Sequence, residues 1–197
     1  MKEIFINPLR KDNPVTVQIL GVCSALAVTT KLEPSVVMAV SVTVVVAISN
    51  VALSLLRNTI PARIRMIVQL VIVAAFVTVV NEILKAYAFD VSRQLSVFIG
   101  LIITNCIVMG RIEAFALANK PLPSFLDGAG TGLGYGVILV IVGFFRELLG
   151  SGTLWGYQVI PDKVYEWGYE NNGLMILPPM ALILVSCLIW IQKSRGN

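Results

Sequence analysis

Apolar residues along this chain gather into six runs near bilayer length: roughly Pro14–Thr30, Ser35–Leu56, Met66–Leu84, Leu95–Met109, Gly132–Phe145 and Leu174–Ile191. Crossing a hydrocarbon layer of about 30 Å takes about 20 residues of helix, which the second and third runs reach comfortably. The first, fourth and fifth are short. Glycine or polar residues interrupt the first and fourth, at Gly21 and Ser24 and at Thr104 and Asn105. Such interruptions fit broken helices, whose irregular backbone is tolerated in a membrane only where protein surrounds it. They also fit ordinary short helices with small polar residues at packing contacts. The pattern predicts an all-α integral membrane protein, a single polytopic domain over residues 1–197 with six transmembrane helices.

Composition agrees: 57% of residues are apolar, only 13% are charged, and mean hydropathy is +0.85. Soluble domains carry about a quarter charged residues, which places this chain in the membrane class. The basic residues sort by side. With the N-terminus cytoplasmic, Lys2, Arg10, Lys11, Arg57, Arg63, Arg65, Arg111, Lys120, Lys193 and Arg195 fall inside, against Lys31, Lys85, Arg93, Arg146 and Lys163 outside. Both termini are therefore expected in the cytoplasm. This excess accounts for a pI near 9.1, and no nucleic-acid surface is indicated. The opening Met1–Pro8 lacks a signal-peptide core, so the N-terminus is expected to be retained.

Val28–Glu33 recurs eighty residues on as Val108–Glu113, each closing a short cysteine-bearing run with a basic residue, an aliphatic and a glutamate. Six spans split as three plus three set the copies in opposite orientation, an inverted repeat with one half over about 13–87 and the other over about 93–194. In that register Cys23 aligns with Ile103 and Cys106 with Leu26, a displacement of about one helical turn.

Glycines 128, 130, 132, 134 and 136 superficially resemble a phosphate-binding loop, but a membrane span follows where a nucleotide fold needs a βαβ unit. The four-residue spacing of Gly128, Gly132 and Gly136 instead predicts a close helix-packing face. Gly150–Leu154 resembles a flavin attachment sequence only faintly and reads as a tight turn leaving the fifth span. Glu82, Arg146 and Glu147 are candidates for an ion path, as intramembrane charges are by default. Their places near span ends favour snorkelling or simple pairing. Trp155, Tyr157, Tyr165, Trp167 and Tyr169 suit an outer interfacial belt.

The chemistry rests on cysteine, because the chain has no histidine. Bis-His haem, Rieske-type centres and histidine proton relays are thereby excluded. Cys23 and Cys106 lie on the two interrupted runs beside small and polar residues, whereas Cys187 lies in a plain apolar stretch and reads as a small buried hydrophobe. Disulfides are not expected, since all three fall in spans. A thiolate in hydrocarbon is costly unless neutralised, ordinarily by a metal. Two thiolates suit zinc or an iron–sulfur cluster equally and close neither site alone, so a metal here needs a second chain. Two buried core cysteines remain the plain alternative.

Leu20–Glu33, Leu101–Arg111 and Gly143–Gly152 resemble the D-type subunit family of bacterial Na+-translocating NADH:quinone reductases, with similarity from about Asn13 to the last span. The E-type subunit of the related Rnf ferredoxin:NAD+ oxidoreductase has similar cysteine motifs and is the alternative; Ser24-Ala25 and Ser96–Gly100 look closer to the quinone reductases. The resemblance implies pairing with the homologous E-type subunit of the reductase, of opposite topology, and a shared intramembrane [2Fe–2S] cluster with two cysteines from each. Cys23 and Cys106 match the ligand positions and Cys187 matches none. Electrons would pass from the F-type subunit through this cluster to the FMN of the C-type subunit, in a complex that also contains A- and B-type subunits and exports sodium across the bacterial inner membrane. FAD, FMN and riboflavin would belong to other subunits, and no complete active site to this chain. Six spans, a repeat and broken helices also suit a secondary transporter, and a purely structural assembly protein is a third reading.

Overall fold

The computed structural model describes Phe5 and residues 13–61, 63–87, 100–155, 157–158 and 173–195. Among these the fold is helical except for one two-residue hairpin, Thr153–Leu154 against Tyr157–Gln158. The helices are α1 (Val22–Val28), α2 (Leu32–Leu56), α3 (Arg65–Tyr87), α4 (Cys106–Arg111), α5 (Pro121–Ser151) and α6 (Pro178–Arg195). A π-helical turn, Ile112–Ala116, continues α4, and a 3-10 turn, Gly173–Ile176, precedes α6.

At about 1.5 Å per residue the 25 residues of α2 and the 31 of α5 exceed the hydrocarbon thickness, while the seven of α1 reach only about 10 Å. The first run is thus a half-helix entered by non-helical chain. The fourth is helical over residues 100–103, breaks at Thr104 and Asn105, and restarts at Cys106. Both interrupted runs are broken helices.

The fifth run departs from expectation. Judged short over 132–145, it is the centre of the longest helix, because the glycine-rich residues before it are helical as well. Glycine is a poor helix former, but here its missing side chains admit α2. A Cβ on Gly128 would lie 3.0 Å from the Ala47 Cα, one on Gly136 3.0 Å from the Ala39 Cβ, and one on Gly143 2.9 Å from the Ser35 Oγ. Numbers rise on α5 as they fall on α2, so the two helices run antiparallel. Each follows the broken helix of its own half, and this opposition is what an inverted repeat requires. In lipid, close van der Waals packing substitutes for the hydrophobic force that is absent between helices.

The tightest point is Gly132, whose Cβ would stand 2.5 Å from the Thr43 Cα. Backbone on both sides cannot yield as a side chain does. Gly132→Val is expected to destabilise the helix pair by about 3 kcal/mol or more, the upper end of overpacking costs. Thermal unfolding of the detergent-solubilised protein checks this, and an unchanged midpoint would refute the glycine seam.

Two of the basic segments assigned to one side, those around Arg57–Arg65 and Arg111–Lys120, meet at one end. Arg65 pairs with Glu113, which also accepts from the Gln69 Nε2 at 2.9 Å. The Ser54 hydroxyl donates to the Asn119 carbonyl at 2.6 Å, and Arg111 forms a bidentate pair with buried Asp127. α3 buries little of itself, 17% of its apolar window against 61% for α5, and exposes Met66, Ile67, Val71, Val79 and Ile83. Glu82 pairs with Lys85 at 2.7 Å on this exposed helix, the simple pairing expected of it.

Candidate functional site

The two helix breaks face each other. Gly21, the N-cap of α1, adopts φ 78°, and Ile19, two residues before it, adopts φ 55°, an uncommon conformation for a β-branched residue. These left-handed residues turn the chain so that the Gly21 N–H donates to the Cys106 Sγ at 2.8 Å. Only glycine fits. A Cβ at Gly21 would lie 2.4 Å from the Ile107 Cδ1 and 3.2 Å from the Tyr135 Cε2. Asn105 is the N-cap of α4, its Oδ1 accepting the Ile107 N–H at 3.1 Å.

Cys106 is therefore the first residue of α4 and Cys23 the second of α1. Both occupy a first turn, where helical N–H groups lack intrahelical acceptors. Setting cap against cap, Gly21 with Asn105, displaces the cysteines by one position where the Val28–Glu33 repeat displaces them by a turn. On this chain Cys23 is exposed and Cys106 partly so.

Beneath the cysteines lies a buried polar group. The Ser24 hydroxyl is 2.9 Å from the Gly21 carbonyl and 2.7 Å from the Tyr135 Oη, and the Asn105 Nδ2 donates to it at 3.3 Å. A hydroxyl gives one hydrogen bond and takes two. All three contacts are satisfied when Ser24 donates to Gly21 and accepts from Tyr135 and Asn105.

Relatives with this sequence pattern are known. A sequence model of the Rnf-Nqr subunits, described as membrane proteins, matches residues 1–189. The chain belongs to this Rnf-Nqr family. It is 56% identical over 195 residues to a Shewanella sp. (strain W3-18-1) protein, covering 98% of this chain and 92% of that one. With a Psychromonas ingrahamii protein it shares 56% over 194 residues, and with one from Shewanella loihica 54% over 195, at the same coverage. All three relatives are named as the D subunits of Na(+)-translocating NADH-quinone reductases.

Two sequence expectations need correction in this Rnf-Nqr protein. Arg146 does not snorkel; it is wholly buried, and among the described residues its partners are carbonyls and a hydroxyl. Its Nη1 donates to the Leu26 carbonyl at 3.1 Å and the Thr29 Oγ1 at 2.6 Å, its Nε to the Met175 carbonyl at 3.2 Å, and its Nη2 to the Ile176 carbonyl at 2.5 Å. Leu26 lies in the last turn of α1, where carbonyls lack intrahelical donors and a cation is favoured. The Thr29 hydroxyl donates to Ala25, and Ser35 reaches the Val28 carbonyl at 3.3 Å. Glu147 is buried too, accepting the Leu32 N–H at 2.5 Å at the start of α2. The adjacent Arg146 and Glu147 thus hold opposite helix ends.

Cys187 is exposed, not buried, beside Leu182, Ile183, Ser186 and Trp190 on α6. α6 covers α1 with one side and leaves an apolar side free, and Cys187 shares that side with Ile183 and Trp190. All three cysteines are free thiols, as expected of spans. The tight turn after the fifth span is present, with Gly152 at φ 68°. Of the proposed aromatic belt, Trp155 is exposed, while Tyr165, Trp167 and Tyr169 lie outside the described residues, as do Arg93 and Lys163. Sequence reading missed Tyr135, because a tyrosine four residues from Thr131 in a glycine-rich span carries no signal of its own. Its partner, Ser24, was visible only as the neighbour of a cysteine.

Proposed function

We propose that the chain is the D-type subunit of a Na+-translocating NADH:quinone reductase, in which Cys23 and Cys106 furnish half of a four-thiolate [2Fe–2S] site and the homologous E-type subunit the other half. The Gly21 N–H to Cys106 Sγ bond carries this reading, because it closes the two helix breaks on each other and so brings both first-turn cysteines to one junction. The residues fit the group. Thiolates are its ligands, N–H donors to sulfur are normal around it, and the exposed Cys23 is open to a second chain. Among the described residues no three of His, Cys, Asp or Glu converge on a metal position, so the reading requires ligands from a partner. When bound, such a cluster supplies one-electron transfer within the membrane. This chain's residues hold two ligands, supply an N–H to one sulfur, and keep irregular backbone dry by packing Ile107 and Tyr135 against it.

In this reading the protein is a multi-pass component of the bacterial inner membrane with both termini cytoplasmic, and sodium export is a property of the complex it forms with the A-, B-, C-, E- and F-type subunits. The names of the relatives support the quinone reductase over the Rnf complex. The test is reduced-minus-oxidised EPR and iron analysis of the assembled complex, prepared anaerobically. A rhombic signal distinct from that of the F-type subunit is expected, with about two irons beyond that subunit's cluster. Both are expected to persist in Cys187→Ser. A complex lacking the extra iron would overturn the reading.

A further inference from the structure

The geometry points to Tyr135 as a positioning residue: acting through Ser24, its phenol holds Gly21 so that the Gly21 N–H is delivered to the Cys106 sulfur. This rests on the cluster reading above and assigns a role to a residue far from either cysteine motif in sequence. Gly21 has no side chain with which to anchor itself, and its left-handed conformation is reached by few constraints. Its carbonyl is gripped by the Ser24 hydroxyl at 2.9 Å and the Ala25 N–H at 3.1 Å. Ser24 is in turn oriented by Tyr135 and Asn105, which take up its two lone pairs and leave its proton for Gly21.

Tyr135 is suited to this work by where it stands. It is wholly buried on α5, the scaffold helix locked against α2, so its oxygen has a fixed position against which a half-helix can be registered. Its ring also walls Gly21, with Cε2 3.2 Å from where a Cβ would be. Phenylalanine would supply that wall equally well. A buried hydroxyl in hydrocarbon is costly unless bonded, so the oxygen is explained by what it holds.

The consequence is electrostatic. Hydrogen bonds to cluster sulfurs help set the reduction potential, because a donated N–H stabilises the additional negative charge of the reduced form. Loosening Gly21 weakens that donor and lowers the potential. Ser24 and Asn105 belong to the same chain of contacts, but Tyr135 is the member tied to the rigid helix.

The experiment is an EPR-monitored redox titration of the assembled complex carrying Tyr135→Phe, Ser24→Ala or both. Each single variant is expected to keep the signal and to shift the equilibrium toward the oxidised form about tenfold, which for a one-electron couple is about 59 mV more negative. The double variant is expected to shift no further than Ser24→Ala, since Tyr135 acts through Ser24. An unmoved potential in Tyr135→Phe overturns the inference, and so does a double shift equal to the sum. Should Tyr135→Phe fail to assemble, an unmoved potential in Ser24→Ala overturns it alone. Absence of the signal from the wild-type complex overturns the cluster reading itself, and this inference with it.

Discussion

Serine in place of Cys23 or Cys106 is expected to lower quinone reduction by the assembled complex more than about 100-fold, while NADH oxidation with an artificial acceptor continues. Loss of an outer-shell contact at a metal site already costs about 10–100-fold, and under the proposed function a ligand itself is removed. A serine hydroxyl is nearly isosteric with the thiol but is a hard, neutral donor that does not replace a thiolate on iron. Packing should survive both changes, as neither side chain is fully buried. Full quinone reduction in the Cys23→Ser, Cys106→Ser double variant would sink the relay. Transport of some substrate by that same variant would favour a secondary transporter. Cys187→Ser is the control and should match wild type, its thiol standing on the exposed side of α6.

The second large effect concerns Arg146. Methionine there keeps much of the aliphatic stem and removes every donor, stranding the carbonyls of Leu26, Met175 and Ile176 and the Thr29 oxygen. Relief of the buried charge offsets part of the loss, as it does when a whole ion pair is replaced by apolar residues. In this case only the cation leaves. Its acceptors remain, each stranded polar group costing about 1–3 kcal/mol, so a net loss of about 3 kcal/mol is expected. Lysine should rescue only partly, because one ammonium cannot serve carbonyls on α1 and on the 3-10 turn at once. Thermal unfolding of the solubilised complex reads the effect, and the cluster EPR signal should weaken with it, since Arg146 anchors the helix that carries Cys23. A wild-type midpoint for Arg146→Met would refute the clamp.

Much of the architecture was legible in residue order. Continuous apolar runs located α2, α3 and α6 to within a few residues, since a span must satisfy its own backbone whatever its neighbours do. Gly21 and Asn105 marked the breaks in the first and fourth spans. The glycine spacing named the packing face of α5, although Pro121, Pro123, Ser124 and Asp127, with Gly128 and Gly130, hid the helix's first eleven residues by lowering their hydropathy. Arg146 was misread because hydropathy records the cost of burying a guanidinium and not the carbonyls that meet it. Those carbonyls come from Leu26, Met175 and Ile176, far away in the chain and chemically identical to any others.

By itself, then, the sequence determined the membrane class, the helical spans and the two interrupted helices, all being consequences of local composition in a solvent that tolerates only self-satisfied backbone. Tertiary structure decided what no local pattern encodes. It joined Gly21 to Cys106, seated Ser24 between Tyr135 and Asn105, buried Arg146 and Glu147 against opposite helix ends, and left Cys187 outside. The reason is that a hydrogen bond across the fold depends on the positions of two helices at once, and those positions are set by how closely α2 and α5 approach along their glycine seam.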